Sequence, residues 1–151
     1  MPISVASRPR LPGVAAPLRA LVAAALAVVQ RRPGEIAVVL SDDATLRALN
    51  RRWRGIDRAT DVLSFPYAER RGGAVDGDLA ISLERMTEHA KRYRVTRGRE
   101  LARLVVHGAL HLAGLDHHRP SERVHMRRRE QRALRAGAAE IRRLDRALAR
   151  A

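Results

Sequence analysis

Short apolar runs of strand length alternate with longer helical stretches along this chain, and proline or glycine separates most of them. Such alternation permits few architectures, because each short strand and each helix must bury one face against a neighbouring layer. The run EIAVVLSD at 35–42 follows the Pro33-Gly34 break and carries Val38-Val39-Leu40, the mark of a buried strand. TDVLSFPY at 60–67 predicts a strand stopped by Pro66. DLAIS at 78–82 predicts another, with Leu79 and Ile81 on one face and Ala80 and Ser82 on the other. These two suit an antiparallel pair, and ISVA at 3–6 suits a short further strand.

Helices are expected from about Pro17 to Arg31, with Pro17 in the first turn, and from Asp42 or Asp43 as cap to about Arg54, ended by Gly55. Two more are expected over about 83–93 and 99–113, the latter ended by Gly114. One last helix should follow Pro120 with Ser121 as cap, presenting Met126, Leu134, Ile141, Leu144 and Leu148 as an apolar stripe. The expected fold class is therefore α/β (α+β): one domain over 1–151, a small mixed β-sheet of about four strands packed with about five helices.

Composition narrows the chemistry. The 151 residues contain no cysteine, which removes disulfides, thiolate-held zinc, iron–sulfur clusters and thiol nucleophiles, so any tightly held metal must use His, Asp or Glu. Aromatics are 3% of the chain, so the core rests on Leu, Val, Ile and Ala, and no stacking platform for bases stands out. The formal charge is +14, which favours polyanionic partners without naming one. Residues 119–151 are rich in arginine against only Glu122, Glu130, Glu140 and Asp145, so the last helix is a candidate polyanion face. The longest apolar stretch, 20–29, falls well short of the roughly 20 residues a membrane span needs. Gln30-Arg31-Arg32-Pro33 stands where a signal peptide would need small residues, so the expected address is the cytoplasm, with no membrane partner.

The segment HGALHLAGLDH, 107–117, carries the strongest chemical signal. His107 and His111 lie four apart in a helical pattern, so both imidazoles share one face and can reach a common ion. Gly114 reverses the chain, and His117 can return as a third ligand, placing a zinc site on a helix and its following turn. Three imidazoles leave one tetrahedral position of Zn²⁺ open, as in catalytic sites. Five of the six histidines fall between His107 and His125, and this concentration favours a metal site over ordinary core or surface roles. His118 and His125 are expected at the surface or behind the ligands. Metzincin proteases share this histidine spacing but place a glutamate general base after the first histidine, where this chain has Gly108. Asp116 is the nearest carboxylate in sequence, either orienting a ligand or acting as base.

The chain closely resembles the YbeY family of bacterial endoribonucleases, the rRNA maturation factors. Its His-Gly-x-Leu-His-Leu-x-Gly-x-Asp-His hallmark is met by His107, Gly108, Leu110, His111, Leu112, Gly114, Asp116 and His117. Leu49-Asn50, Trp53-Arg54-Gly55 and Thr60-Asp61-Val62-Leu63-Ser64-Phe65-Pro66 resemble the family's second block, and Gly77-Asp78 and the Met126 to Glu130 spacing agree with it too. Ala59 replaces the usual proline and Trp53 the usual tyrosine.

The resemblance implies a zinc-dependent, single-strand-specific endoribonuclease with one Zn²⁺ per chain. It implies action in small-subunit rRNA 3′-end maturation and ribosome quality control, with RNA and the ribosome or ribosomal proteins as partners. The ion would lower the pKa of a water or polarise a phosphoryl oxygen, and Arg54, matching an arginine the family needs, would hold the phosphate through a bidentate guanidinium. The competing readings are a metal-dependent peptidase or other hydrolase, and a noncatalytic ribosome-associated zinc protein.

Overall fold

The computed structural model describes residues 3–67, 73–115 and 118–151. In chain order it contains β1 (Ile3–Ser7), α1 (Ala15–Val28), β2 (Arg32–Ser41), α2 (Asp43–Arg54), β3 (Val62–Pro66) and β4 (Ala74–Ser82). The helices α3 (Leu83–Tyr93), α4 (Arg97–Leu112), α5 (Pro120–Ala136) and α6 (Ala138–Ala149) follow. One sheet runs in the order β1-β2-β4-β3. β1, β2 and β4 are mutually parallel, and β3 pairs antiparallel with β4, as its spacing suggested. The mixed α/β class and the four-stranded sheet agree with the sequence reading.

Three details differ, the first two for a long-range reason. β2 begins at Arg32 and runs through Pro33-Gly34, where a break was expected. A register irregularity between Pro33 and Ile36 accommodates the proline, and the freed Glu35 N–H donates to the buried Asp76 carboxylate at 2.6 Å. The expected single last helix is two helices, so there are six rather than five among the described residues. It breaks at Gly137, where a Cβ would lie 2.4 Å from Leu21 of α1, so the chain bends at the point where α1 crosses. Nor does Ser121 cap α5; Arg119 holds that position without a side-chain cap bond, and Pro120 opens the helix.

The two sheet faces are covered unequally. α1, α4, α5 and α6 pack on one face around Leu18, Leu21, Leu104, Leu110 and Leu144, all fully buried, each contributing about 1.5–3 kcal/mol by burial. α4 is buried on most of its circumference, which fixes the helix that carries both histidines. The other face holds a small cluster of Leu46, Leu63 and Ala80 beneath α2, and its remainder is open. Asp42 caps α2 by accepting from Thr45 N–H at 2.8 Å, and Gly55 ends it in the left-handed region at φ +69°, leaving Arg54 as its last residue.

Candidate active site

His107 and His111 occupy the last two turns of α4. Their rings meet edge to face with centroids 4.7 Å apart, and the two Nε2 atoms are 3.1 Å apart. His107 Nδ1 makes a short contact with the Glu130 carboxylate of α5. A carboxylate accepts, so with Nδ1 as the donor of this bond the ring's other nitrogen, Nε2, faces that of His111. Two ring nitrogens directed at one point, the first oriented by a carboxylate behind it, fit a divalent cation site.

Arg54, His107, His111, His117 and Asp116 are the site residues expected from the sequence. The structure brings Arg54, His107 and His111 to the walls of one cleft of about 470 Å³. Asp116 and His117 lie outside the described residues. His118 also lines the cleft, closer to the chemistry than its sequence position suggested, whereas His125 is exposed on α5 and lines a separate hollow. Among the described residues no group of three or more candidate ligands forms.

β3 makes the opposite wall. Its alternation turns Val62 and Ser64 toward the cleft and leaves Leu63 and Phe65 on the side of α2. Ser64 Oγ donates to the Gly108 carbonyl at 3.3 Å, and Arg54 donates to the Ser64 carbonyl at 2.7 Å, so helix, strand and arginine are tied together. That bond uses one of five guanidinium donors. Gly108 lies where α4 rides on the sheet: a Cβ there would sit 2.9 Å from Leu79 Cδ2 and 3.3 Å from Val62 Cγ2. A longer side chain at 108 would be driven into the sheet rather than toward the histidines.

Asp61 joins the cleft from the turn before β3, one carboxylate oxygen accepting from Val62 N–H at 2.8 Å. Behind it, the buried Glu100 accepts a bidentate pair from Arg103 at 3.0 and 2.7 Å. The Glu100 hydrogen bonds, then its Coulombic attraction, hold Arg103 more firmly protonated than usual against the opposing effect of burial. Arg103, Arg123 and Arg127 also flank His107 and Glu130 in a groove beside the cleft. Glu130 is not among the site residues expected from the sequence, where the Met126 to Glu130 spacing is its only trace.

Residues 14–137 match the profile of the family Endoribonuclease YbeY. The chain belongs to the YbeY endoribonuclease family. It is 46% identical over 129 residues to an endoribonuclease YbeY of Anaeromyxobacter sp., covering 85% of this chain and 67% of that protein. A YbeY of Roseiflexus sp. is 47% identical, with 69% of this chain and 71% of the relative covered. Against the Anaeromyxobacter dehalogenans YbeY the identity is 45%, and the chain spans 62% of that protein, under two thirds of its length. A solution structure from Thermotoga maritima superposes with a TM-score of 0.60 at 26% identity, covering 91% of this chain and 92% of that one. YbeY membership and the cleft coincide in sequence, since the matched span contains Arg54, His107, His111 and Glu130.

Proposed function

We propose that this protein is a zinc-dependent endoribonuclease that cleaves single-stranded RNA in maturation of the small-subunit rRNA 3′ end and in ribosome quality control. The observation that carries the reading is the convergence of His107 and His111 Nε2, 3.1 Å apart, with Arg54 in one cleft of a YbeY-family chain. His107 and His111 would hold the ion, with His117 as the expected third ligand. Zinc held there supplies Lewis acidity beside the phosphodiester.

The remaining work falls to side chains. Glu130 accepts a hydrogen bond from His107 Nδ1–H and so keeps the facing nitrogen available for binding. Arg54, held by the Ser64 carbonyl, binds the phosphate and counters the charge that develops on it. Asp116 would orient a ligand or act as the base. Arginines 103, 123 and 127 supply sequence-independent attraction to the RNA backbone beside the cleft. The substrate class carries with it a cytoplasmic location and the ribosome as partner. No helix among the described residues is long and apolar enough to cross a membrane.

A metzincin-like peptidase is disfavoured because position 108, which would carry its base, is pressed against Leu79 and Val62. The decisive experiment is cleavage of a structured rRNA fragment by purified protein, with and without chelator, beside metal analysis of His111→Ala. Expected are chelator-sensitive cleavage and loss of stoichiometric zinc in the variant. Chelator-resistant cleavage, or unchanged zinc in H111A, would overturn the assignment.

A further inference from the structure

On the face of β3 opposite the histidines lies a second groove, of about 380 Å³, between the end of α2 and the open part of the sheet. It gathers three of the chain's four aromatic residues, Trp53, Phe65 and Tyr67. Trp53 is 63% and Tyr67 52% exposed, so these two rings are not core, while Phe65 is half-buried against the Leu46–Leu63–Ala80 cluster. Exposed rings grouped at one site in a chain this poor in aromatics are an outlay of apolar surface that folding does not require.

Two cations lie against rings of the groove without lining it. The Arg52 guanidinium lies 5.1 Å from the Trp53 ring centroid, and that of Arg54 lies 5.5 Å from the Phe65 centroid. Arg54 therefore touches both sides of the edge strand: it lines the histidine cleft while resting on a ring of the aromatic groove. The groove itself is a poor place for a phosphate. Its walls are Val39, Leu49 and the rings, and its one ionisable acid, Asp78, accepts from the Tyr67 hydroxyl at 2.6 Å and would repel an anion. An occupant with an anion at Arg54 and an uncharged flat group in the groove is a nucleotide of single-stranded nucleic acid.

We propose that the Trp53–Phe65–Tyr67 groove is a stacking subsite for an unpaired base next to the phosphate held by Arg54, with the strand crossing the β3 edge. The inference rests on the RNA-cleaving reading of the cleft and assigns the groove that the low aromatic content had hidden. A base stacks on aromatic rings without regard to sequence, so the subsite selects unpaired over paired RNA rather than one base over another. Paired bases are already stacked and cannot enter without melting.

Trp53 is the only tryptophan, so its fluorescence reports the groove directly. The test is stopped-flow titration of the zinc-loaded protein with an oligoadenylate of about ten nucleotides and with an abasic ribose-phosphate oligomer of equal charge, read before turnover. Cleavage of the oligoadenylate is followed in parallel. Expected is quenching by the oligoadenylate and little by the abasic chain. Trp53→Ala should weaken oligoadenylate affinity about tenfold and leave abasic affinity unchanged. Tyr93→Ala, which removes the exposed fourth aromatic on α3, should change neither. Binding and cleavage without quenching would overturn the subsite and leave the nuclease reading standing, whereas base-dependent quenching without cleavage would support the subsite and count against the nuclease. Should W53A bind and cut short RNA like the wild type and fail only on ribosomal particles, the groove's occupant is a protein and the proposal is wrong.

Discussion

Removing the Glu130 carboxylate separates orientation of a ligand from ligation itself. Glu130 and His107 side chains are only 14% and 22% exposed, so water cannot readily replace the lost partner. In Glu130→Ala the His107 ring loses the acceptor that keeps its proton on Nδ1, and the ring must find its binding tautomer and orientation unaided. Loss of such a carboxylate behind a ligand histidine lowers metal affinity about 10- to 100-fold, or about 1.4–2.7 kcal/mol. The same change removes one charge-assisted hydrogen bond, worth about 1.5–3 kcal/mol when well buried and less at this partial exposure. A domain stability of about 5–15 kcal/mol absorbs that loss.

The variant should therefore be folded, with a modestly lowered Tm, and weakened in zinc affinity by one to two decades in a competitive chelator titration. Cleavage should return toward wild type at saturating zinc, because Glu130 acts through His107. Glu130→Gln should fall between, since its amide oxygen still accepts from Nδ1 but carries no charge. A folded E130A with wild-type zinc affinity would refute the positioning role. Activity still absent at saturating zinc would refute it too, by placing Glu130 in the chemistry.

Arg54→Ala should keep zinc and fold while losing about 10²–10³ in single-turnover cleavage, and Arg54→Lys should recover part of it, having the charge without the fork; an R54A rate equal to wild type removes Arg54 from the site. Replacing Arg123 and Arg127 by Ala should lower the salt dependence of RNA binding, by about 0.7 in slope for each single-strand phosphate that is no longer neutralised. Arg129→Ala should do so far less, because Arg129 lines a different hollow and donates to the His125 carbonyl of its own helix; equal effects would move the RNA track off the His107 side. In Gly108→Ala a helix-propensity gain of about 1 kcal/mol opposes an overpacking cost of about 1–3 kcal/mol from the 2.9 Å approach to the fully buried Leu79, so Tm should fall slightly; a raised Tm would mean the helix–sheet packing yields freely.

What was legible in the sequence is what short-range periodicity determines. Val38-Val39-Leu40 had to lie in a strand, and His107 and His111 had to share a face, because both follow from spacing within one element; the run is buried only at Val38 and Leu40, since strand alternation turns Val39 to the open face. The break at Gly137 was not legible: the stripe of Leu134, Ile141, Leu144 and Leu148 continues at helical spacing across it, and the deciding neighbour, Leu21, comes from α1. Glu130 stayed hidden for the same reason, standing 23 residues from the histidine it orients.

The aromatic groove is the more instructive case, because composition argued against it. Four aromatics dispersed along a chain offer no platform, but Phe65↔Asp78 and Leu63↔Ala80 pairing sets the open face of β3 and β4, and α2 ends so that Trp53 stands over it. The period of two along β3 then gives one edge strand two sites: Val62 and Ser64 face the histidines while Phe65 faces the groove. Arg54, at the left-handed stop made by Gly55, is the side chain that reaches both. A one-residue slip of β3 against β4 would exchange these faces and separate the phosphate position from the rings, so the register of that single antiparallel pair couples the proposed chemistry to the proposed choice of unpaired RNA.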